Sequence, residues 1–274
     1  MVKKVLITGS SGYIGSHLCE LLEGEYEVHG LDLNMPQTSV DRFYKQDITR
    51  LFESETEYDA VIHLAALVRV GESEQIPIKY YITNLNGTMN ILNRVKTKNF
   101  IFASTGAAQD CNSAYGISKR AAEDVVREYC TQHKQQDYTI FRFYNVVGSE
   151  GFNPTNPDGL MWKLMEAEDT GTFTVYGNDY QTQDGTCVRD YVHVMEICDA
   201  LKQAIEKPSN KIECLGHGVG YTVNEIARLF REVNDCDFDI KYGPRRKGDA
   251  PSSVLEDVSP YMRNLYTIEQ LLKI

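Results

Sequence analysis

The chain has 274 residues, a formal net charge of −11 and 42% hydrophobic residues, a composition typical of a globular protein with a sizeable core. Its acidic balance, with a pI of about 5.1, argues against nucleic-acid and membrane partners, which attract a cationic surface. No apolar run reaches the roughly 18 residues of a membrane span. The apolar start before Thr8 is too short for a signal peptide, and the 7 cysteines lack metal-ligand spacing. We therefore expect a cytoplasmic protein with reduced thiols and no metal site.

Apolar runs alternate with helical patterns through the first half of the chain. Strands are predicted at residues 5–7, 28–31, 60–64, 100–102 and 139–144, and helices at residues 12–22, 80–95 and 114–133. Because these strands are apolar throughout, they predict a parallel sheet that is buried on both faces. The second half is mixed, with helices predicted at residues 160–167, 195–205, 223–233 and 268–274 and strands at residues 173–176, 212–215 and 238–242.

Glycine and proline gather at residues 148–159, which predicts a boundary between two lobes. The fold class is therefore α/β: a doubly wound parallel sheet (Rossmann) over residues 1–147, with a smaller C-terminal substrate-binding lobe over residues 148–274. We expect the strand near residues 211–216 to rejoin the main sheet.

A glycine-rich turn follows the first strand and opens a helix. Gly9, Gly12 and Gly15 have the GxxGxxG spacing that brings the backbone close to a pyrophosphate at a helix N-terminus. A tight turn without a ligand would look the same, but Asp32, about 20 residues further on, is placed to hold an adenosine ribose diol. Its carboxylate would repel a 2′-phosphate, so NAD is favoured over NADP. Asp47 is placed either to bond the adenine amine or to cap a helix over residues 48–52.

Tyr115 and Lys119 lie one turn apart at the start of the helix predicted at residues 114–133, so they share one face. A tyrosine acts as a base near neutral pH only if its pKa falls from about 10 by about three units. We expect the Lys119 ammonium and a positive nicotinamide ring to stabilise the phenolate directly. Thr105 ends the preceding strand and is placed to bond the same substrate oxygen as Tyr115. An amphipathic surface helix is the alternative interpretation.

Several longer stretches carry a family resemblance. They are Gly12-Tyr13-Ile14-Gly15-Ser16-His17, Val70-Gly71-Glu72-Ser73, Asn84-Leu85-Asn86-Gly87-Thr88, Arg142-Phe143-Tyr144-Asn145, residues 177–194 and Pro244-Arg245-Arg246-Lys247-Gly248-Asp249. With them the chain resembles the UDP-glucose (UDP-galactose) 4-epimerases of the extended short-chain dehydrogenase/reductase family, over residues 3 to about 266. Residues 177–194 are specific to nucleotide-sugar epimerases, whereas the glycine motif and the tyrosine–lysine pair are shared with the wider family.

The resemblance implies a catalytic and a cofactor-binding set. Tyr115 resembles the family's base, Lys119 its ribose-binding partner and Thr105 the hydroxyl that contacts the hexose. The residues implied to contact NAD are Gly9, Gly12, Tyr13, Ile14, Gly15, Asp32, Asn34, Asp47, Ile48, Leu64, Ala65, Ala66, Asn84, Tyr115, Lys119 and Tyr144.

The resemblance also implies a substrate-binding set for a UDP-sugar. Its members are Thr105, Asn145, Leu160, Tyr176, Arg189, Tyr191, Arg246, Asp249 and Ser253. Arg189 and Arg246 would take the diphosphate and Asp249 the uridine ribose. Alternatively, Asn145 simply ends a strand, and Arg189 forms a surface ion pair with its neighbour Asp190.

The chain departs from the family at several positions. The segments at residues 105–115 and 145–177 are shorter than in typical relatives. Asp158-Gly159 stands where two asparagines are common, and Arg69 lies beside the place of a usual lysine. Ser253 replaces a bulky residue that lines the sugar pocket. Its small side chain leaves room beside the hexose C2, which predicts that UDP-N-acetylglucosamine is accepted as well.

The activity implied by the resemblance is NAD-dependent epimerisation at C4 of a UDP-hexose through a transient 4-keto sugar, with NAD tightly bound. A 4,6-dehydratase is less favoured, because Gly106 and Ala107 follow Thr105 where that chemistry needs an acid pair. The same motifs are also compatible with a 4-ketoreductase or with a non-catalytic NAD-binding module.

The resemblance also implies a homodimer. Relatives associate through helices that correspond to residues 76–96 and 114–133 of this chain. Val125, Val126 and Tyr129 form an apolar stripe that is either the dimer seam or a core-facing surface.

Overall fold

The computed structural model describes residues 2–50, 52–132, 136–246 and 249–274. His133, at the end of a predicted helix, and Lys247 and Gly248, in the basic motif, lie outside these residues, as does Leu51. The chain divides into two compact units. Unit 1 comprises Met1–Phe143 and Ile197–Glu213, and unit 2 comprises Tyr144–Glu196 and Cys214–Ile274.

Unit 1 is built on a seven-stranded sheet. Its strands, numbered along the chain, are β1 (Lys4–Thr8), β2 (Glu27–Asp32), β3 (Arg42–Lys45), β4 (Ala60–His63), β5 (Asn99–Thr105), β6 (Asp137–Phe143) and β10 (Ile212–Leu215). The order across the sheet is β10-β6-β5-β4-β1-β2-β3, and the first six strands along the chain pair in parallel. This is the strand order of a Rossmann sheet, which confirms the predicted fold class. The strand at Ile212–Leu215 joins the sheet edge as expected.

The helices of unit 1 differ from the predicted ones mainly in the middle of the unit. They are α1 (Tyr13–Leu22), α2 (Val70–Gln75), α3 (Pro77–Tyr80), α4 (Gly87–Arg94), α5 (Ala107–Asp110), α6 (Ala114–Gln132) and most of α8 (Val194–Glu206). A π-helical segment, Tyr81–Asn86, lies between α3 and α4, so the single helix predicted at residues 80–95 is wrong in detail. The short helix α5 occupies the segment at residues 105–115.

The core of unit 1 lies between the sheet and the helices packed on it. Strand residues such as Leu6 and Phe100 and helix residues such as Ile91 are buried together. Burying apolar surface of this kind stabilises the fold by roughly 25 cal/mol per Å². Val126 belongs to this core, and Val125 and Tyr129 pack against it, so the core-facing interpretation of this stripe is correct for Val126.

Unit 2 is organised around strand β9 (Val188–His193), which the sequence pattern did not predict. Its elements are β7 (Asn145–Val147), α7 (Leu160–Thr170), β8 (Thr172–Tyr176), β9 (Val188–His193), β11 (Gly220–Thr222), α9 (Val223–Asn234), β12 (Asp239–Gly243), β13 (Ser252–Ser253) and α10 (Ile268–Leu272). Strand β9 pairs with β7, β11 and β13, while β8 and β12 form a separate parallel pair. A second apolar core, including Leu164, Phe173 and Phe230, packs the helices against these strands.

The division of the chain differs from a single cut at residue 147. Most of α8 and the start of β10 belong to unit 1 although they follow much of unit 2 in the chain. Within the residues that the structure describes, no helix is long and apolar enough to cross a membrane.

Candidate functional site

The glycine turn of unit 1 is packed backbone against backbone. Gly9 has φ +76°, and a Cβ on it would lie 2.8 Å from the Ala65 nitrogen. A Cβ on Gly15 would lie 2.1 Å from the Gly9 carbonyl oxygen. Gly12 is the N-cap of α1 and has no side chain to cap the helix. A helix N-terminus next to such a turn suits the pyrophosphate of NAD.

Asp32 lies at the end of β2, beside this turn. Its Oδ2 accepts a hydrogen bond from the Ser11 nitrogen at 3.1 Å, and its Oδ1 accepts one from the Asn34 nitrogen at 2.9 Å. The Ser11 hydroxyl in turn donates to the Asn34 carbonyl oxygen at 2.8 Å. The carboxylate is thus fixed next to the glycine turn and half-exposed, as a ligand for a ribose diol must be.

Asp47 caps a turn in the structure. Its Oδ1 accepts hydrogen bonds from the backbone nitrogen and the hydroxyl of Thr49, both at 2.8 Å. The residues described after it form a turn and not the helix of the alternative interpretation. Ile48 is buried, and its side chain lies against Gly87 at the start of α4. Contacts of Asp47 and Ile48 with adenine stay a prediction.

A buried histidine ties the segments around the predicted NAD site together. The Thr8 hydroxyl accepts from the Ala65 nitrogen at 3.3 Å and bonds His63 Nδ1 at 2.7 Å, while His63 Nε2 bonds the Thr88 hydroxyl at 3.0 Å. Thr88 uses its own hydrogen on the Asn84 carbonyl oxygen at 2.6 Å, so Nε2 must carry the imidazole proton. Burial lowers the pKa of His63 to about 3, which keeps the ring neutral.

Asn84 links the loop after β4 to α6. Its Oδ1 accepts from the Leu67 nitrogen at 2.8 Å, and its Nδ2 donates to the Leu67 oxygen and to the Ser118 hydroxyl, both at 3.0 Å. The buried amide is thereby fully engaged within the protein. These bonds give Asn84 a positioning role, and its direct contact with NAD stays a prediction.

Unit 1 brings the three predicted catalytic residues together. Tyr115 and Lys119 are buried on α6, and the Thr105 side chain lies close enough to the Tyr115 hydroxyl to affect its pKa. Burial raises the pKa of Tyr115 to about 12, and Thr105 opposes the rise. The Lys119 ammonium lies 4.1 Å from the centroid of the Phe102 ring, and burial lowers its pKa to about 7. The chain alone therefore does not produce the low tyrosine pKa that we expected from Lys119.

The short segment before α6 packs directly on the catalytic helix. The Ser113 hydroxyl accepts from the Gly116 nitrogen at 3.1 Å and so caps α6. A Cβ on Gly116 would lie 2.4 Å from the Ala107 carbonyl oxygen, and the Ala107 nitrogen donates to the Thr105 hydroxyl at 3.3 Å. Helix α5 thus fixes Thr105 and the start of α6 relative to each other.

In unit 2, several predicted substrate-binding residues gather on and beside β9. Arg189 forms an ion pair with Asp249, with 3.6 Å between Nη2 and Oδ1, and donates to the Ala250 oxygen at 2.9 Å. The alternative pairing of Arg189 with Asp190 is wrong. Asp190 is buried and accepts hydrogen bonds from three backbone nitrogens, those of His217, Gly218 and Leu255.

Two strand registers complete this group. Asn145 pairs with Tyr191 in β7–β9, and its amide donates to the Asp190 carbonyl oxygen at 2.8 Å. Ser253 pairs with Arg189 in β13–β9. Within the described residues the buried Tyr191 hydroxyl has no hydrogen-bond partner, so it is a polar atom free to meet a ligand.

The other predicted substrate-binding residues of unit 2 lie outside the β9 group. The Arg246 guanidinium stacks 4.0 Å from the centroid of the Tyr176 ring, a cation–π contact on the β8 strand. Leu160 is the first residue of α7 and packs on the core of the unit. Tyr144, which was predicted to contact NAD, donates its backbone nitrogen to the Leu215 oxygen at 3.0 Å, and its contact with NAD stays a prediction. Across the described ranges, no cluster of His, Cys, Asp and Glu side chains suited to a metal occurs.

Sequence reasoning gave no role to Glu123 or to Arg142, which form a buried ion pair one helical turn from Lys119 along α6. The available signal was the arginine itself. Residues 139–144 are otherwise apolar or aromatic apart from Thr139, and a charged residue inside a buried strand requires a partner.

The fold, the glycine turn with Asp32, and the buried tyrosine–lysine pair define a dinucleotide-dependent enzyme of the short-chain dehydrogenase class. The sequence pattern of the NAD dependent epimerase/dehydratase family matches residues 5–214. The chain belongs to that family.

Relatives with assigned activities are similar over most of their length. The chain is 32% identical to UDP-glucose 4-epimerase from Bacillus subtilis, over 89% of this chain and 86% of the relative. Its fold matches UDP-glucose-4-epimerase from Stenotrophomonas maltophila with bound NAD and formylated UDP-arabinopyranose, at TM-score 0.88 and 25% identity over 98% of this chain and 96% of that chain. It also matches the UDP-Glc/GlcNAc 4-epimerase from Campylobacter jejuni, at TM-score 0.80 and 28% identity over 99% and 97% of the two chains.

Proposed function

We propose that the protein catalyses the NAD-dependent epimerisation of UDP-glucose and UDP-galactose at C4 through a transient 4-keto sugar. The observation that carries the proposal is the buried Tyr115–Lys119 pair, one helical turn apart on α6, with Thr105 beside the Tyr115 hydroxyl. It lies in a chain that is 32% identical to a UDP-glucose 4-epimerase over most of both chains. The scattered cysteines, which form no disulfide within the described residues, support a cytoplasmic location, where thiols stay reduced.

Tyr115 is the proposed general base. Its phenolate oxygen, beside Thr105, takes the proton from the hexose 4-hydroxyl and later returns it. Burial lowers the pKa of Lys119 to about 7, so below that pH its side chain is an ammonium one helical turn from Tyr115. Bound NAD supplies an acceptor for the C4 hydride and a positive ring charge that favours the phenolate. Because burial alone raises the pKa of Tyr115, the base is expected to form only in the holoenzyme.

The residues of unit 2 are proposed to hold the UDP part of the substrate. Arg189 offers a guanidinium whose ion pair with Asp249 is long, at 3.6 Å, and so leaves the charge available to a phosphate. Arg246 and Tyr176 form a stacked pair with exposed surface, which suits a phosphate and a base. The unpaired Tyr191 hydroxyl is a further polar contact. Asn145, Leu160 and Ser253 complete the proposed set.

The test is an assay of the purified protein with UDP-glucose and no added dinucleotide, with the nucleotide released on denaturation identified by mass spectrometry. We expect UDP-galactose to form until the two sugars reach equilibrium, with NAD recovered from the protein. A requirement for stoichiometric reduced dinucleotide would instead indicate a 4-ketoreductase. Loss of water from the sugar would indicate a dehydratase, and no turnover a non-catalytic NAD-binding module.

We predict that UDP-N-acetylglucosamine is epimerised alongside UDP-glucose, because Ser253 presents a small side chain where relatives have a bulky wall. A structural neighbour at 28% identity is a UDP-Glc/GlcNAc 4-epimerase, which supports the prediction. Replacing Ser253 with tyrosine should lower kcat/KM for the N-acetyl substrate by at least about tenfold, since overpacking costs about 1–3 kcal/mol. The activity on UDP-glucose should change little.

The matched control is Ser252→Tyr, on the neighbouring position of the same strand, where the side chain points to the other face. Equal loss on both substrates in Ser253→Tyr, or no loss, would remove Ser253 from substrate selection.

We propose a homodimer that associates through exposed apolar side chains on the helices named by the resemblance. Ile78, Ile82, Met89 and Ile117 lie on α3, the π-helical segment, α4 and α6, and are 68%, 45%, 41% and 42% exposed. Large exposed apolar side chains on neighbouring elements are typical of interaction sites. Light scattering at micromolar protein should give twice the chain mass of 31.1 kDa.

The variant Ile82→Glu should shift the protein to the monomer mass, whereas Val219→Glu, which changes an equally exposed residue of unit 2, should not. A wild-type protein that scatters as a monomer would contradict the dimer.

A further inference from the structure

Unit 1 contains a buried ion pair between α6 and the strand pair β5–β6. Glu123 Oε1 accepts hydrogen bonds from the Ser104 hydroxyl at 2.5 Å and from Arg142 Nε at 2.9 Å, and its Oε2 accepts one from Arg142 Nη2 at 2.6 Å. Ser104 and Arg142 are direct partners in the β5–β6 register. The Glu123 side chain is 0% exposed and that of Arg142 is 11% exposed. The carboxylate is thus held by a bidentate arginine and a hydroxyl from two strands.

Stability alone is a poor reason for such a pair. Removing two charges from water costs several kcal/mol per ion, and apolar residues of similar volume often serve as well. The carboxylate is therefore a candidate for a second role, and Lys119 lies on the same helix one turn away. The two residues are four positions apart on α6, which places their Cβ atoms about 5–6 Å apart on one face.

Lys119 is itself an unusual group. It is 3% exposed, and within the described residues its ammonium makes no hydrogen bond or ion pair and contacts the face of the Phe102 ring at 4.1 Å. A buried ammonium without a counter-charge tends to lose its proton. The chain provides one carboxylate on the same helix face, one turn away.

We propose that Glu123 is a positioning residue for Lys119: its carboxylate keeps the buried ammonium charged, and Arg142 and Ser104 hold that carboxylate in place. The inference rests on the proposed function for its catalytic meaning, because the charge of Lys119 matters to turnover only if Tyr115 is the base. The electrostatic part of the inference concerns the chain alone.

The charges around Lys119 allow the sign of the effect to be worked out. On α6 these are Tyr115 and Glu123, and on β4 the neutral His63, while Arg142 on β6 pairs with Glu123. Burial lowers the pKa of Lys119 to about 7, and the negative charge of Glu123 opposes the decrease. Removing that charge lowers the pKa further, and the guanidinium of Arg142, no longer paired, acts in the same direction. Lys119 would then be neutral at neutral pH.

The experiment measures the titration of Lys119 directly. Lysine labelled with ¹³C at Cε is followed by NMR as a function of pH in the NAD-loaded protein, and the Lys119 signal is assigned by its absence in Lys119→Arg. Glu123→Gln should lower the pKa of Lys119 by about one unit or more. Asp124→Asn is the matched control, since it removes the same charge from the next residue, which is half-exposed on α6 and paired with exposed arginines. It should leave the Lys119 titration unchanged.

Activity gives a second readout. Lys119 is charged below its pKa, so a lower pKa should move the alkaline limb of the kcat profile for UDP-glucose to lower pH, with KM little changed. Glu123→Asp, which keeps the charge, should restore most of the wild-type profile. A role in folding alone would change stability but not this limb.

The outcomes separate the two proposals. A folded Glu123→Gln protein in which Lys119 titrates as in the wild type would overturn the inference, whatever its activity. A wild-type protein that does not epimerise UDP-glucose, but shows the Lys119 shift in Glu123→Gln, would overturn the proposed function and leave the electrostatic role of Glu123 standing. If Glu123→Gln does not fold, the double variant Glu123→Gln/Arg142→Met leaves no unpaired buried charge. In this double variant the pKa of Lys119 should also fall, by less than in Glu123→Gln. An unchanged pKa would overturn the inference.

Discussion

Replacing Tyr115 with phenylalanine is expected to reduce turnover of UDP-glucose by roughly 10²–10⁴-fold, because the substitution removes the proton acceptor and little else. The ring is buried on α6, and phenylalanine keeps its apolar contacts. The lost group is the hydroxyl beside Thr105. The protein should therefore stay folded and keep its NAD, which thermal unfolding and the nucleotide content of the purified protein will show.

Two further variants sharpen this result. Tyr129→Phe makes the same change on the same helix outside the predicted site and should keep near wild-type activity. Lys119→Ala should lose activity and also retain less NAD, because the resemblance assigns Lys119 to the nicotinamide ribose. Near-normal turnover by Tyr115→Phe would contradict the role of Tyr115 as the base.

The first unit was predictable because its strands are apolar runs that need burial on both faces. Residues 5–7, 60–64 and 100–102 contain almost no polar side chains, and they lie in the centre of the sheet. The alternation with helices then left a doubly wound sheet as the natural arrangement. The glycine spacing and the Tyr115–Lys119 pair are local patterns, so their positions at a strand end and on one helix face followed directly.

The second unit was less predictable because its central strand contains charged residues. Strand β9 contains Arg189 and Asp190, and a charged pair is rare in a buried strand. Asp190 is satisfied by backbone nitrogens that lie 27, 28 and 65 residues further along the chain. No local pattern encodes such partners. The short strands β11 and β13 are defined by their pairing with β9, which sequence patterns do not show.

The electrostatics of the site also escaped sequence reasoning. Spacing alone suggested that Lys119 lowers the tyrosine pKa, but burial depends on the packed fold and raises the pKa of Tyr115 to about 12. The same burial lowers the pKa of Lys119 to about 7. Spacing predicted which residues meet, and packing decided which protonation states they prefer.

The second large effect is expected at the cofactor turn, from Gly15→Ala. In a helix interior, alanine is normally more stable than glycine by about 0.5–1 kcal/mol. At Gly15 the added Cβ would lie 2.1 Å from the Gly9 carbonyl oxygen and 2.9 Å from the Ser10 Cα, and backbone atoms cannot swing away as a side chain can. Helix α1 must then move off the turn. We expect a loss of about 1–3 kcal/mol in the free energy of unfolding and at least a tenfold weaker retention of NAD.

The variant Gly71→Ala distinguishes the effect of this backbone contact from the effect of helix propensity. Gly71 also lies within a helix, α2, and a Cβ there meets nothing within 4 Å. Urea unfolding of the NAD-depleted proteins should therefore show Gly71→Ala at least as stable as the wild type and Gly15→Ala less stable, while only Gly15→Ala loses NAD on gel filtration. If the two variants behaved alike, the close approach of α1 to Gly9 would not be what the turn requires. Because the two substitutions are chemically identical and both are helical, the difference between them measures the backbone contact on which the proposed pyrophosphate site depends.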